Sequence, residues 1–468
     1  MDSPTLQIGT RPSPRHSAAI ALVAVFAASL LIALLQGQKT FYYDSRVYWL
    51  LSDTFVADGH FSLLNFENTG LRGYALPLTY FAVHQLFGLL TSDKAVTVMV
   101  FNAGIFAAVG VVLAPGLARI TWLGQRWQLG RLLAMSGLIL LFWRGYLNFP
   151  LSDFPALAAA LLALIAISSL DSPLWMLTAG LAAGYSLNAR PAYLLLTPIL
   201  GVLIFYGWFE QRHTEHASRA RRAVCLGLFV AGLACISVPQ SIVQHRAFGS
   251  YNPIPGGNGL AGFQYTAGLE LQRYETYVGN SLLTPRMEYL DSHTGGILDS
   301  LDDRRVSGTS EYAEIVLSHP LTMAGVFLRH IVNGLDERYT TPYVERLESP
   351  SHRLLRFAGF LLVFLALLRV AWPSARRGLG QARWRYPAAL LTTCATSIPS
   401  AIETRFLLPV FVLCSLLVLA PGWPNPIESA EVGLRRYRAL AWMIAGGALF
   451  FIAVWAIVHQ TTDSLRLA

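Results

Sequence analysis

The chain has 468 residues, of which 54% are hydrophobic and 13% charged, with a mean hydropathy of +0.46. Soluble domains carry about 25% charged residues. The composition therefore excludes a string of soluble domains, a disordered chain, collagen, a coiled coil and a disulfide scaffold, and points to a multi-pass membrane protein.

The net charge of +8 is almost entirely arginine, since Lys39 and Lys94 are the only lysines. The arginines cluster between apolar segments, as the positive-inside rule expects, and nothing suggests a nucleic-acid partner. Cys225, Cys235, Cys394 and Cys414 lie in apolar stretches without a CxxC pair. They read as small buried side chains rather than metal or redox centres.

In chain order, residues 17–36 form the first span. The stretch is long for a signal peptide and no A-x-A site follows it, so it reads as uncleaved. Further candidate spans are 95–115, 132–147, 154–169, 173–188, 192–209, 223–243, 353–371, 387–401, 406–420 and 438–460. Each approaches the apolar length that a bilayer requires. Residues 74–91 are also apolar, but Pro77, His84, Gln85 and the polar loop before them fit a helix lying on the outer surface. With that placement, the arginine-rich loops 116–131, 210–222 and 372–386 and the stretch around Arg435 and Arg436 share the cytoplasmic side.

The expected architecture is an all-α membrane protein with about 11 transmembrane helices, N-terminus inside and C-terminus outside. It divides into a transmembrane module over 1–243, an outer-face cap over 244–352 and C-terminal transmembrane helices over 353–468. The first outer loop, 37–93, carries juxtamembrane helices. The cap opens with NPIPGGNG at 252–259 and continues with amphipathic helices over 311–335. Its tyrosines, Tyr339 and Tyr343 among them, suit sugar binding or an interfacial belt.

Charges at membrane level are costly and are functional candidates by default. On the outer side these are Asp44, Arg46, Arg72, Arg144, Asp153, Arg190, Glu403 and Arg405. In FYYDSRVYWLLSD (41–53) Asp44 and Tyr48 share one helix face, whereas Asp53 is out of phase and forms no dyad with Asp44. Asp44 either caps this helix or serves a site. NFPLSDFPAL (148–157) gives Asp153 the same two readings at the head of a span. Arg190, in NARPAY (188–193), is either a snorkelling anchor or part of that site. Glu403 and Arg405, in SAIETRFLLPV (400–410), are either an exposed ion pair or part of it. RHTEH (212–216) reads as a solvated cytoplasmic loop, and HExxH, P-loop and GxSxG signatures are absent from the sequence.

Taken in order, YYDSRVYW (42–49), ALPLTYFAVHQLFG (75–88), PLSD (150–153) and ETRFLLPV (403–410) resemble the GT-C superfamily. These are integral membrane glycosyltransferases that use polyprenyl-phosphate sugars, the protein O-mannosyltransferases and the aminoarabinose transferases of lipid A among them. NGLDERYTTPYV (333–344) is similar to bacterial members. The resemblance implies that Asp44 is the catalytic acid of the first loop, Asp153 the second acid and Arg405 the arginine near the lipid phosphate. Arg190 and Arg72 join Arg405 as donor-phosphate ligands, with Tyr48, Glu403 and Glu67 supporting. Many members carry two adjacent acids in the first loop. Here Ser45 follows Asp44, so one acid must suffice, which sets the chain apart from the protein O-mannosyltransferase branch.

The implied activity is inverting sugar transfer to a hydroxyl of a glycan, lipid or protein, on the periplasmic face of a bacterial inner membrane. No metal or cofactor is required, although a divalent ion bridging Asp44 and Asp153 is compatible with this reading. The rivals are a lipid-linked sugar transporter or flippase and an O-antigen ligase or polymerase. A transporter is expected to show internal repeats and mid-span polar residues, and neither is found here.

Overall fold

The computed structural model describes residues 14–66, 72–88, 91–122, 127–210, 218–256, 259–280, 285–371, 384–420 and 433–467. Most of these residues are helical, as long apolar runs demand when only a helix can satisfy its own backbone inside lipid. Among the described residues six helices are long and apolar enough to cross a membrane: His16–Gln36, Lys94–Thr121, Pro191–Glu210, Arg219–Phe248, Pro350–Ala371 and Ile444–Asp463. Shorter helices, Leu129–Trp143, Asp153–Ala166, Pro173–Ala189, Arg385–Ala395 and Leu408–Leu419, lie between them. The apolar stretch 74–91 holds the 13-residue helix Ala75–Phe87.

Small residues let the helices approach closely, as membrane packing favours. Pro173–Ala189 and Arg219–Phe248 meet through glycines. A Cβ on Gly180 would run into the Phe229 carbonyl, and one on Gly232 would come within 2.5 Å of the Leu177 carbonyl. Elsewhere aromatic side chains fill the core: Phe154 stacks on Phe106 at 4.0 Å and meets Trp143 edge-on at 6.3 Å.

The region 244–352 adds a small sheet to this helical frame. Its strands run in the order Tyr343–Val344, Leu271–Tyr277, Arg286–Leu290 and Leu465–Leu467. The outer two pairings differ: Tyr343–Val344 is parallel to its neighbour, while Leu465–Leu467 is antiparallel to Arg286–Leu290. The last strand directly follows the helix Gly433–Asp463, so the chain's end lies on the same side of the molecule as this region. Two helices cover the stretch 311–335, where the sequence predicts amphipathic helices. Thr309–Ser318 and Pro320–Gly334 meet at 111°. Pro320 disfavours helical geometry in the residue before it, and His319 takes φ −126° and ψ 52°.

The strand Leu271–Tyr277 contributes to a buried ionic network. The Asp336 carboxylate accepts from Arg273 at 3.1 Å, from Arg356 at 2.8 Å and from Arg338, and Arg273 also binds Glu275 at 2.7 Å. Removing such charges from water is tolerable only because each finds a partner.

Candidate active site

The helix Tyr43–Asp53 begins without a side-chain cap, and Tyr42 occupies the cap position. Asp44 is therefore not the helix cap. Its carboxylate turns outward and accepts from Arg72 Nη2 at 2.5 Å and from Arg405 Nη2 at 3.2 Å. Arg72 also lies over the Tyr48 ring, 5.5 Å from its centre, so Asp44 and Tyr48, four residues apart on one helix face, meet the same guanidinium.

Asp153 opens the helix Asp153–Ala166 but does not cap it either. It forms a buried ion pair with Arg190, their side chains being 1% and 9% exposed. Arg405 joins the two acids. Its Nη1 is 3.9 Å from Asp153 Oδ2, its Nη2 reaches Asp44, and its Nε is held by Glu403 at 2.7 Å. The Arg405 guanidinium thus lies between the two acids. Three arginines and three carboxylates, from loops far apart in the chain, thus converge at formal neutrality.

The polar residues that fix this cluster were not among the sequence candidates. Gly73 lies so close to Asn188 that a Cβ would collide with its side chain and backbone carbonyl. Asn188 Oδ1 accepts from the Ala75 amide at 2.8 Å, and Gln240 Oε1 accepts from the Tyr74 amide at 3.2 Å. Asn188 donates in turn to Gln240 at 2.8 Å, so two buried amides hold the backbone that carries Arg72. Ahead of Asp153, Asn102 Nδ2 donates to the carbonyls of Tyr146, Leu147 and Phe149 at 3.2, 3.1 and 2.9 Å. An amide side chain within an apolar stretch is the signal the sequence carries of them, and it is shared with every other polar residue there.

The cluster is graded in exposure. Asp153 and Arg190 are enclosed, whereas the Asp44 and Arg72 side chains keep 30% and 26% exposure. Burial alone raises the Asp44 pKa, but the Arg72 and Arg405 guanidiniums outweigh it and hold the carboxyl at about 2. The result is an ionised, partly exposed acid, with two cations that an anionic ligand could share.

Other candidates fall away from the cluster. Arg46 is exposed, and Arg144 bonds the Leu141 carbonyl of its own helix at 2.8 Å. Asp53 pairs with Lys94 at 3.2 Å, away from Asp44 as its phase predicts. Glu67 and the RHTEH stretch lie outside the described residues. The four cysteines are free thiols. Among the described residues no group of three or more His, Cys, Asp or Glu side chains is arranged to hold a metal ion. In comparisons with known proteins, no family model and no curated protein matches the chain.

Proposed function

We propose that the protein is an inverting glycosyltransferase of the GT-C type, moving a sugar from a polyprenyl-phosphate donor to a hydroxyl acceptor at the outer face of a bacterial inner membrane. The supporting observation is the Arg405 bridge between Asp44 and Asp153, flanked by Arg72 and Arg190. Ionisable groups at membrane level are retained for chemistry or transport, and here they surround one partly open carboxylate. In this reading the six long helices and the five shorter ones, extended by their flanking turns, make eleven crossings, and the region 244–352 is the outer-face cap.

The donor's lipid tail stays in the bilayer and its phosphate lies against Arg72 and Arg405. The acceptor oxygen attacks the anomeric carbon as the bond from that carbon to the phosphate oxygen breaks. The electron pair stays on the phosphate, and the acceptor proton passes to Asp44. The leaving phosphate gains negative charge, which guanidiniums fixed in a poorly solvated site stabilise strongly. Asp153, itself paired with Arg190, supports Arg405 from 3.9 Å away.

At a pKa of about 2, Asp44 is a weak base in the resting protein. A bound phosphate draws on the same two arginines, relaxing their hold, so the Asp44 pKa rises toward the ordinary value near 3.9. Donor binding thereby prepares the base.

Purified protein in lipid vesicles, given a panel of labelled polyprenyl-phosphate sugars and hydroxyl acceptors, tests this directly. Transfer from one donor class with inverted anomeric configuration is the expected result. Movement of the sugar lipid across the vesicle without transfer would instead identify a transporter.

A further inference from the structure

The segment Asp336–Val344 lies outside the charge cluster yet is fastened at both ends. Asp336 is anchored by Arg273, Arg338 and Arg356. The Thr340 carbonyl accepts from the Gly145 amide at 2.8 Å, an approach so close that a Cβ on Gly145 would lie 2.7 Å from that oxygen. Tyr343 and Val344 then join the sheet beside Thr276 and Tyr277.

From that strand the buried Tyr343 ring reaches into the first loop, 4.8 Å edge-on from Phe149 and 5.6 Å from Tyr42. Its hydroxyl accepts from the Ser45 amide at 3.0 Å and donates to the Tyr42 carbonyl at 2.8 Å. The two groups it grips flank Tyr43 and Asp44. They belong to the uncapped first turn of a helix, whose amides have no partner within the helix itself. Tyr43 takes φ +36°, a conformation disfavoured for any side chain other than glycine and kept only where the surroundings enforce it.

We propose that Tyr343 is a positioning residue for Asp44: it caps the helix Tyr43–Asp53 from 298 residues away and so fixes the Asp44 carboxylate against Arg72 and Arg405. Burial pushes the Tyr343 phenol up to about 12, so its proton is present to donate across the working pH range. The cap over the active site is thus tied to the acid through one hydroxyl, and a displacement of the strand Tyr343–Val344 moves the start of the Asp44 helix with it. The catalytic half of this inference rests on Asp44 being the base, whereas the capping half does not.

Tyr343→Phe keeps the ring contacts and removes only the hydroxyl. Tyr339→Phe is the control, because Tyr339 lies in the same segment but donates to the Leu347 carbonyl at 3.3 Å and does not touch the helix. Hydrogen exchange of the purified full chain is read first. In Tyr343→Phe the amides at 44–47 should exchange at least about tenfold faster, with the strands 271–277 and 286–290 unchanged. Transfer should fall about 10–100-fold, mainly in kcat rather than in the donor KM, because a displaced base costs the chemical step. The control should match wild type in exchange at 44–47. Unchanged exchange at 44–47 in Tyr343→Phe overturns the proposal whatever the activity does. Faster exchange with full transfer overturns the positioning role. If wild type transfers from no donor while Tyr343→Phe still frees these amides, the cap stands and the reading of Asp44 as a base fails.

Discussion

Arg405 donates to Asp44 across 361 residues of chain, and its other Nη atom lies 3.9 Å from Asp153. One guanidinium therefore connects two acids that each read, from local sequence, either as a helix cap or as part of a site. Its planar fork makes this geometry available to arginine and not to lysine, whose charge is a single point. Arg405→Lys should retain the charge yet lose one of the two acids, lowering kcat/KM about 10–1000-fold. Kinetics with the identified donor check this, and a variant within about twofold of wild type would contradict the bridging role.

The enclosed pair behaves differently from the open one. Asp153→Asn leaves Arg190 buried without a counter-charge, which should cost about 3–5 kcal/mol of stability. The double variant Asp153→Asn with Arg190→Gln should recover part of that loss. Thermal unfolding followed in detergent distinguishes the cases, and additive losses in the double variant would argue against a direct pair.

Much of this site was legible because charge is scarce in the sequence. Asp44, Arg72, Asp153, Arg190, Glu403 and Arg405 stood out against an apolar background, and the structure brings all six together. The pairing of each acid with its cation was not legible, since it depends on how distant loops fold over one another. Asn188 and Gln240 escaped notice because a buried amide within an apolar helix resembles any other polar residue there. Tyr343 was hidden among other tyrosines that an interfacial belt explains equally well. The sheet was missed for a related reason. Its outer strands are two and three residues long, and one of them comes from the far end of the chain.

Acid should weaken the fold through two carboxyls. For both Asp44 and Asp336, burial raises the pKa but neighbouring arginines outweigh it, lowering the folded value from 3.8 to about 2. A depressed carboxyl contributes stability that is fully present above its unfolded pKa and lost as pH falls through the folded one. Unfolding temperature should therefore fall between about pH 4 and pH 2, and Asp336→Asn should flatten that decline. A steep loss already at pH 6 would point to other groups. Because resting Asp44 titrates so low, kcat/KM should show no acid limb from it above about pH 3.

Close approach at Gly73 gives a prediction that does not depend on activity. Gly73→Ala places a methyl against Asn188, so the backbone carrying Arg72 must shift. The variant should unfold at lower temperature and lose the protection of the Tyr74 and Ala75 amides, which Gln240 and Asn188 now accept. Unchanged protection at both amides would contradict the described packing.

The central claim, that Asp44 takes the acceptor proton, is tested most directly by Asp44→Asn. The substitution keeps the size of the side chain and most of its hydrogen bonding but removes the base. Wild type and variant, expressed to equal level in the same vesicles, would be compared for sugar transfer from the polyprenyl-phosphate donor. The account predicts a loss of about 100-fold or more with donor binding retained. Equal transfer by the two proteins would contradict it and remove Asp44 from the chemistry.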